Sequence, residues 1–194
     1  MRFALSVQAA CAAALLGACG TPATRPMSFV ADAPREAAIG GSGNCVVNLR
    51  PIEDKRDSAS SFGGNPNFEK FAVNLSDWVK SAVASLDRPN RKLVPAEAQG
   101  KDALPGGLTM TVRIHKAYIQ GLATSRTAQI VLSLQYELDG KVIANQYYRG
   151  SDTSINWVNS PDEVESGMNA AMNLALVPMG KDLDRVCAQA LSKT

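Results

Sequence analysis

The chain has 194 residues, of which 45% are hydrophobic and 20% are charged, and its formal net charge at pH 7 is only +2. This length is enough for one domain with a sizeable core, so folding needs neither a metal ion nor a dense disulfide framework. The near-neutral charge, without a block of Lys and Arg, argues against the phosphate-binding surface of a nucleic-acid-binding protein.

The first 18 residues have the pattern of a secretory signal peptide, because Arg2 precedes a short, Ala- and Leu-rich apolar stretch. That stretch is too short to remain as a membrane-spanning helix. Its end, Leu16-Gly17-Ala18-Cys19, resembles the bacterial lipobox, in which the Cys receives a diacylglyceryl group and an acyl chain. We therefore expect residues 1–18 to be removed and Cys19 to become a lipidated first residue, with no other cofactor and no metal.

Residues 19–43 are predicted to form a flexible tether, because they contain three prolines and a Gly-Gly-Ser-Gly run. About 25 extended residues reach on the order of 75 Å. The one apolar stretch of the tether is Met-Ser-Phe-Val at 27–30, for which docking on the domain is favoured over docking on a partner. Gly20, in place of Asp, is compatible with sorting to the outer membrane.

The folded domain is predicted over residues 44–194, and its first strand is the β-branched run at 45–49. A charged turn at 50–57 and a polar loop follow. Apolar residues then recur at three- and four-residue spacings from Phe68 to Leu86, which predicts an amphipathic helix.

Alternating apolar residues next predict strands from Leu108 and from Ala128, with a bulge or a strand end after His115, where the alternation slips. Asp139-Gly140 predicts a tight hairpin turn into a returning strand that extends to about Asn156. Ser160-Pro161-Asp162-Glu163 has the pattern of a capping box and opens a final amphipathic helix, which Pro178 is expected to kink or split near Val177. The predicted fold is an α+β two-layer sandwich, a largely antiparallel sheet covered on one face by two amphipathic helices.

Two cysteines remain in the mature domain, Cys45 and Cys187, and an oxidising compartment favours a disulfide between them. The alternative is a pair of buried free thiols. A metal site is disfavoured because these two distant Cys residues and the single His115 offer no ligand cluster.

The residues that chemistry would need do not form a recognisable catalytic motif. His115 has no Gly-x-Ser-x-Gly motif to accompany it, and neither Cys45 nor Cys187 has a nearby base.

The run at 53–57 is interpreted as an internally paired charged turn or, through Asp54 and Arg56, as a partner-binding edge. Three further aromatic residues are either ordinary cross-strand packing or an exposed partner contact: Tyr147, Tyr148 and Trp157. The methionines at helical spacing in the last helix (Met168, Met172 and Met179) are interpreted as core, or less favourably as an apolar groove for a lipid or peptide.

This order of elements resembles the YajG-type family of small bacterial lipoproteins over roughly residues 45–191. The features that carry the resemblance are the lipobox, the Val-rich first strand before an Asp/Arg-rich turn, the hairpin at Asp139-Gly140, the Tyr147-Tyr148-Arg149-Gly150 strand and the helix from Ser160. More loosely, the chain is similar to auxiliary lipoproteins of envelope ABC-type lipid transport systems. The resemblance implies a lipidated Cys19 and carries over no other functional residue.

The expected function is that of a membrane-anchored periplasmic lipoprotein of the outer membrane, a non-enzymatic binding or accessory domain of an envelope complex with a protein partner. The alternative is a lipid- or small-ligand-binding auxiliary subunit of a transport system. The two differ structurally, because a carrier needs a continuous apolar cavity between helices and sheet.

Overall fold

The computed structural model describes residues 25–32, 44–57, 74–95, 107–155 and 160–192. Within these ranges the chain forms six strands and two helices, in this order: β1 (Cys45–Leu49), β2 (Glu53–Asp54), α1 (Leu75–Ala84), β3 (Arg91–Pro95), β4 (Leu108–Gly121), β5 (Ser125–Leu138), β6 (Lys141–Ile155) and α2 (Pro161–Leu191).

The strands form one mixed sheet in the order β3-β1-β4-β5-β6, and β2 pairs beside β4. The long strands β4, β5 and β6 are antiparallel neighbours, which confirms the predicted α+β class. The parallel pairs of β1 with β3 and with β4 were not expected. They form because the chain crosses over through α1 before it returns as β3 on the far side of β1.

The local signals for turns and bulges are confirmed. Asp139 and Gly140 have φ angles of 53° and 75°, the left-handed conformation that a two-residue hairpin turn requires. The register of β4 against β5 shifts between Ile114 and Lys116, where the apolar alternation slips. This bulge keeps the apolar residues on both sides of it facing the core.

The helices differ from expectation at their ends. Ser160 and Glu163 form the predicted capping box, with Pro161 in the first turn of α2. This helix then continues through Pro178, so the split expected near Val177 does not occur. Pro178 has no N–H to donate to the Leu174 carbonyl, and both residues are exposed to solvent. The described part of the first helix begins at Leu75, and the predicted turns at 68–73 lie outside the described residues.

The core lies between the two helices and one face of the sheet. Fully buried side chains from both layers fill it: Trp78 of α1, Met110 and Ile114 of β4, Leu132 and Tyr136 of β5, and Met168, Met172 and Met179 of α2. The methionines are therefore core residues, as the favoured interpretation held. Cys45 and Cys187 are joined by a disulfide that fastens the start of the sheet to the end of α2.

Candidate functional site: a strap on the helical face

Residues 25–32 run along the N-terminal half of α2 and beside the start of α1, and we call this segment the strap. Met27 is buried against the core, and Phe29 packs partly buried beside it. The Phe29 ring meets Trp78 edge to face, with 6.3 Å between ring centroids. The apolar stretch that the sequence placed in the tether thus docks on the domain, which was the favoured expectation.

A row of polar side chains on α2 binds the backbone of the strap. The backbone N–H groups of alternate strap residues 28, 30 and 32 donate to Glu165, Asn169 and Asn173, at 2.7, 3.4 and 3.2 Å. The amide nitrogens of Asn169 and Asn173 donate in turn to the carbonyls of residues 28 and 30, each at 3.0 Å. The side chains of α2 therefore pair with the strap as a neighbouring β-strand would.

This pairing works because two periodicities match. Residues four apart on an α-helix are separated by about 6.0 Å along the axis. Residues two apart on an extended chain are separated by about 6.6 Å. Each step of four residues on the helix therefore matches a step of two residues on the strap, so that positions 165, 169 and 173 meet positions 28, 30 and 32. We call this stripe of three helix residues the polar ladder.

Asn74 fixes the strap at its other side. The Asn74 carboxamide accepts from the backbone N–H of Met27 and donates to its carbonyl, both at 3.0 Å. Asn74 is the N-cap of α1, yet its side chain makes no capping hydrogen bond because the strap uses it. Asn169 is also shared, since its Oδ1 accepts from Trp78 Nε1 at 3.1 Å. The strap, α1 and α2 are thus joined by one polar network around a buried indole.

The charges at the start of the strap are complementary to those at the start of α2. Arg25 lies 2.8 Å from Asp162 and 3.6 Å from Glu165. Because Arg25 and Asp162 are well exposed to solvent, this pair contributes little to stability. It does fix the direction of the strap, which enters at the N-terminal end of α2.

Sequence reasoning missed the three asparagines of this site. The available signal was the spacing of Asn169 and Asn173, four residues apart beside an apolar stripe, with Asn169 only 7% exposed in the structure. Such a buried carboxamide requires partners. A helix sequence by itself does not say that the partner is a segment 137 or more residues earlier in the chain.

The other predicted site residues are dispersed. Asp54 and Arg56 pair with each other at 2.7 Å, which matches the internally paired turn. Tyr147 is 66% exposed on the sheet face that the helices leave uncovered, whereas Trp157 lies outside the described residues.

Tyr148 requires a correction as a surface contact. It is 4% exposed because alternation along β6 turns it towards α2, where its hydroxyl donates to Asp182 at 2.9 Å. Burial raises the pKa of Tyr148 above its ordinary value, and burial also raises the pKa of Tyr136 to about 12. Burial alone would raise the pKa of Asp182. Its carboxylate accepts hydrogen bonds from Arg185 and Tyr148, and these outweigh burial, so the pKa of Asp182 is lowered. Tyr136 and Tyr148 are therefore uncharged residues of the core rather than surface contacts.

His115 and Ser133 come together on the uncovered sheet face, with 2.7 Å between Nε2 and Oγ. This pair does not form a catalytic dyad. Ser133 is 2% exposed in the middle of β5, so a substrate carbonyl has no access to its hydroxyl. The β5 backbone is hydrogen-bonded to strands on both sides, and none of its N–H groups there can form an oxyanion hole.

The described residues contain no group of three His, Cys, Asp or Glu placed to hold a metal ion. They also include no helix with the length and apolar character needed to cross a membrane. A cleft of about 370 Å³ lies beside the strap and opens to solvent, with lining residues that include Asp162, Glu165 and Asn169. The acidic and amide side chains of this cleft do not suit an acyl chain, and nothing in the described core favours the lipid-carrier alternative.

No family model matches the sequence, and no curated protein matches it either. Among solved structures, a Xanthomonas campestris protein of the DUF330 family is similar, with 11% identity, a TM-score of 0.59, and coverage of 88% of this chain and 99% of that one. At this identity the similarity shows a shared fold alone.

Two further solved structures match less closely. A homologue of a neuraminyllactose-binding hemagglutinin from Helicobacter pylori has 12% identity and a TM-score of 0.43, covering 84% of this chain and 97% of that one. The lipoprotein GNA1162 of Neisseria meningitidis has 9% identity and a TM-score of 0.40, covering 66% and 96%. These scores are too low to carry an argument, and the YajG-type resemblance stays a prediction.

Replacing Asn169 by alanine is expected to release the strap, because one carboxamide serves Val30, Ser28 and Trp78. Each lost hydrogen bond is worth about 1 kcal/mol, so the free energy of unfolding should fall by roughly 2–3 kcal/mol. Amide hydrogen exchange at residues 27–32 should accelerate more than exchange in β5. The control is Asn145→Ala on the exposed side of β6, which should leave the strap amides unchanged. Unaltered exchange at residues 27–32 in the Asn169 variant would contradict the polar ladder.

Proposed function

We propose that this chain is a lipid-anchored periplasmic protein that serves as a non-enzymatic binding or accessory domain in an outer-membrane complex. The strap is the observation that carries the proposal. It begins at Arg25, six residues after the candidate lipidation site Cys19. A domain whose polypeptide is fixed so soon after that cysteine is suited to work beside a membrane.

The strap also changes the expected reach of the anchor. With residues 25–32 docked, the length available between the lipid and the domain is set by the six residue-to-residue steps from Cys19 to Arg25. At about 3.5 Å per residue this is roughly 20 Å, against the 75 Å expected for a fully extended tether. The proposed function is therefore a local one, carried out close to the bilayer surface.

Two further observations support the proposal. The disulfide between Cys45 and Cys187 is of the kind that persists in the periplasm and is rare in the cytosol. Both cysteines are thereby unavailable as nucleophiles. The uncovered face of the sheet, where Tyr147 is exposed in the edge strand β6, is the proposed contact surface for a protein partner.

The test compares the native chain with Cys19→Ser in a diderm bacterium. The native protein should carry acyl chains on its N-terminal peptide by mass spectrometry and should fractionate with membranes, and the variant should do neither. Cys11→Ser is the matched control. Cys11 lies within the proposed signal peptide, so its replacement should leave acylation intact. Partners captured by crosslinking should be lost from Cys19→Ser, and the same partners with and without the anchor would overturn the membrane-local role.

A further inference from the structure

The start of the strap, the turn between β4 and β5, the end of β6 and the start of α2 lie together at one end of the molecule. Arg126, at the start of β5, joins these elements: it donates to Ser154 of β6 at 3.1 Å and lies 3.5 Å from Glu163 of α2. Arg25 of the strap contacts Asp162 in the same first turn of α2. We call this the anchor end.

The anchor end presents apolar side chains to solvent beside the two ion pairs just described. Leu122 is 57% exposed in the turn between β4 and β5, and Ile155 is 64% exposed at the end of β6. The turn itself, residues 121–125, has the uncharged sequence Gly-Leu-Ala-Thr-Ser. The opposite end of the hairpin sheet carries Asp139 and Lys141 around its turn.

The length of the spacer decides which end faces the bilayer. Strands of 14 residues place the two ends of the sheet about 45 Å apart. The five residues between Cys19 and the strap allow at most roughly 20 Å between Cys19 and Arg25. A lipid on Cys19 can therefore bring the anchor end to the membrane and cannot bring the Asp139-Gly140 end there while the strap is docked.

We infer that the anchor end is a membrane-contact surface, on which Leu122 and Ile155 enter the headgroup region of the bilayer while the sheet stands away from it. This inference rests on the proposed lipidation of Cys19. The weak hold of a few interfacial side chains is sufficient, because the lipid supplies the anchorage and the contact only fixes orientation. A side-on arrangement is disfavoured, because it would bring Asp32 and Glu165, which line the cleft beside the strap, to the negative surface of an anionic membrane.

The experiment places one tryptophan at a time in the acylated, full mature protein and reconstitutes it in phosphatidylcholine vesicles whose acyl chains are brominated near the headgroup. Leu122→Trp and Ile155→Trp probe the anchor end, and Ala123→Trp is a second probe of the same turn. Val142→Trp is the matched control, since Val142 is 58% exposed at the opposite end. All variants carry Trp157→Phe. The variant with only this change gives the fluorescence of Trp78, which is subtracted from the fluorescence of each of the other variants.

Fluorescence at positions 122 and 155 should be quenched at least about threefold more than fluorescence at position 142. Adding Asn169→Ala and Asn173→Ala should reduce this difference, because a released strap lengthens the spacer. Equal quenching at both ends, or the strongest quenching in Leu174→Trp on the exposed side of α2, would overturn the inference. Protein that proves unacylated by mass spectrometry would refute the proposed anchoring itself, so the two failures are distinct.

Discussion

Gly150→Ala should destabilise the domain by about 3 kcal/mol or more, the largest effect expected of any single methyl group here. A Cβ at Gly150 would lie 1.7 Å from the backbone carbonyl oxygen of Ala171 and 2.7 Å from its carbon. Both atoms belong to the backbone of α2, so no side-chain rotation relieves the clash. The whole helix would have to move away from β6, which would open the core along its length.

The matched control is Gly180→Ala, a glycine in α2, the helix against which Gly150 packs. A Cβ there meets only Leu86 Cδ2, at an ordinary 3.5 Å. Alanine is also the better helix former, so this variant should be as stable as the native protein or up to about 1 kcal/mol more stable. Urea unfolding followed by circular dichroism measures both variants. A Gly150→Ala protein with the native urea midpoint would show that β6 and α2 are not packed backbone to backbone.

Removing the disulfide should lower the free energy of unfolding by about 2–5 kcal/mol. The bond joins residues 142 apart in sequence, so it closes most of the folded domain into one loop. In the chain-entropy description a loop of that size is worth on the order of 5 kcal/mol, and measured gains usually fall lower. Cys45→Ala/Cys187→Ala should therefore fold but unfold at a lower urea concentration.

A reductant provides the control for this effect. Dithiothreitol should shift the urea midpoint of the native protein to near that of the double variant, and it should leave the double variant unchanged. The strap should remain docked in the double variant, because its contacts are with Asn74, Asn169 and Asn173. A native protein whose midpoint does not respond to reductant would contradict a stabilising bond between Cys45 and Cys187.

These two features act at different places along α2. Gly150 lets the middle of the helix approach β6, and the disulfide fastens its last turns to β1. The strap covers the N-terminal half of the same helix through the polar ladder. The helix that forms the candidate site is thus held in its N-terminal half, at its middle and at its last turns.

The sequence by itself determined the features that depend on neighbours along the chain. Period-two alternation marked β4 and β5, Asp139-Gly140 marked the turn into β6, and Ser160 with Glu163 marked the start of α2. Cysteine parity indicated the disulfide. The lipobox pattern predicts a lipid anchor at Cys19, a residue that lies outside the described part of the chain. Each of these signals lies within a few residues or, for the disulfide, follows from there being two cysteines to pair.

Only the tertiary structure decided what depends on distant segments. The parallel pairing of β1 with β3 and β4 leaves no local pattern, because it depends on where α1 returns the chain. Tyr148 belongs to the core because β6 lies against α2, and a tyrosine in an alternating strand does not show which face is covered. The strap was visible in the sequence as a stretch with three apolar residues for which docking on the domain was favoured, but its partners on α2 lie more than 130 residues away. Only the tertiary structure shows the backbone hydrogen bonds and the buried Met27 that hold it, because these depend on where the two helices lie.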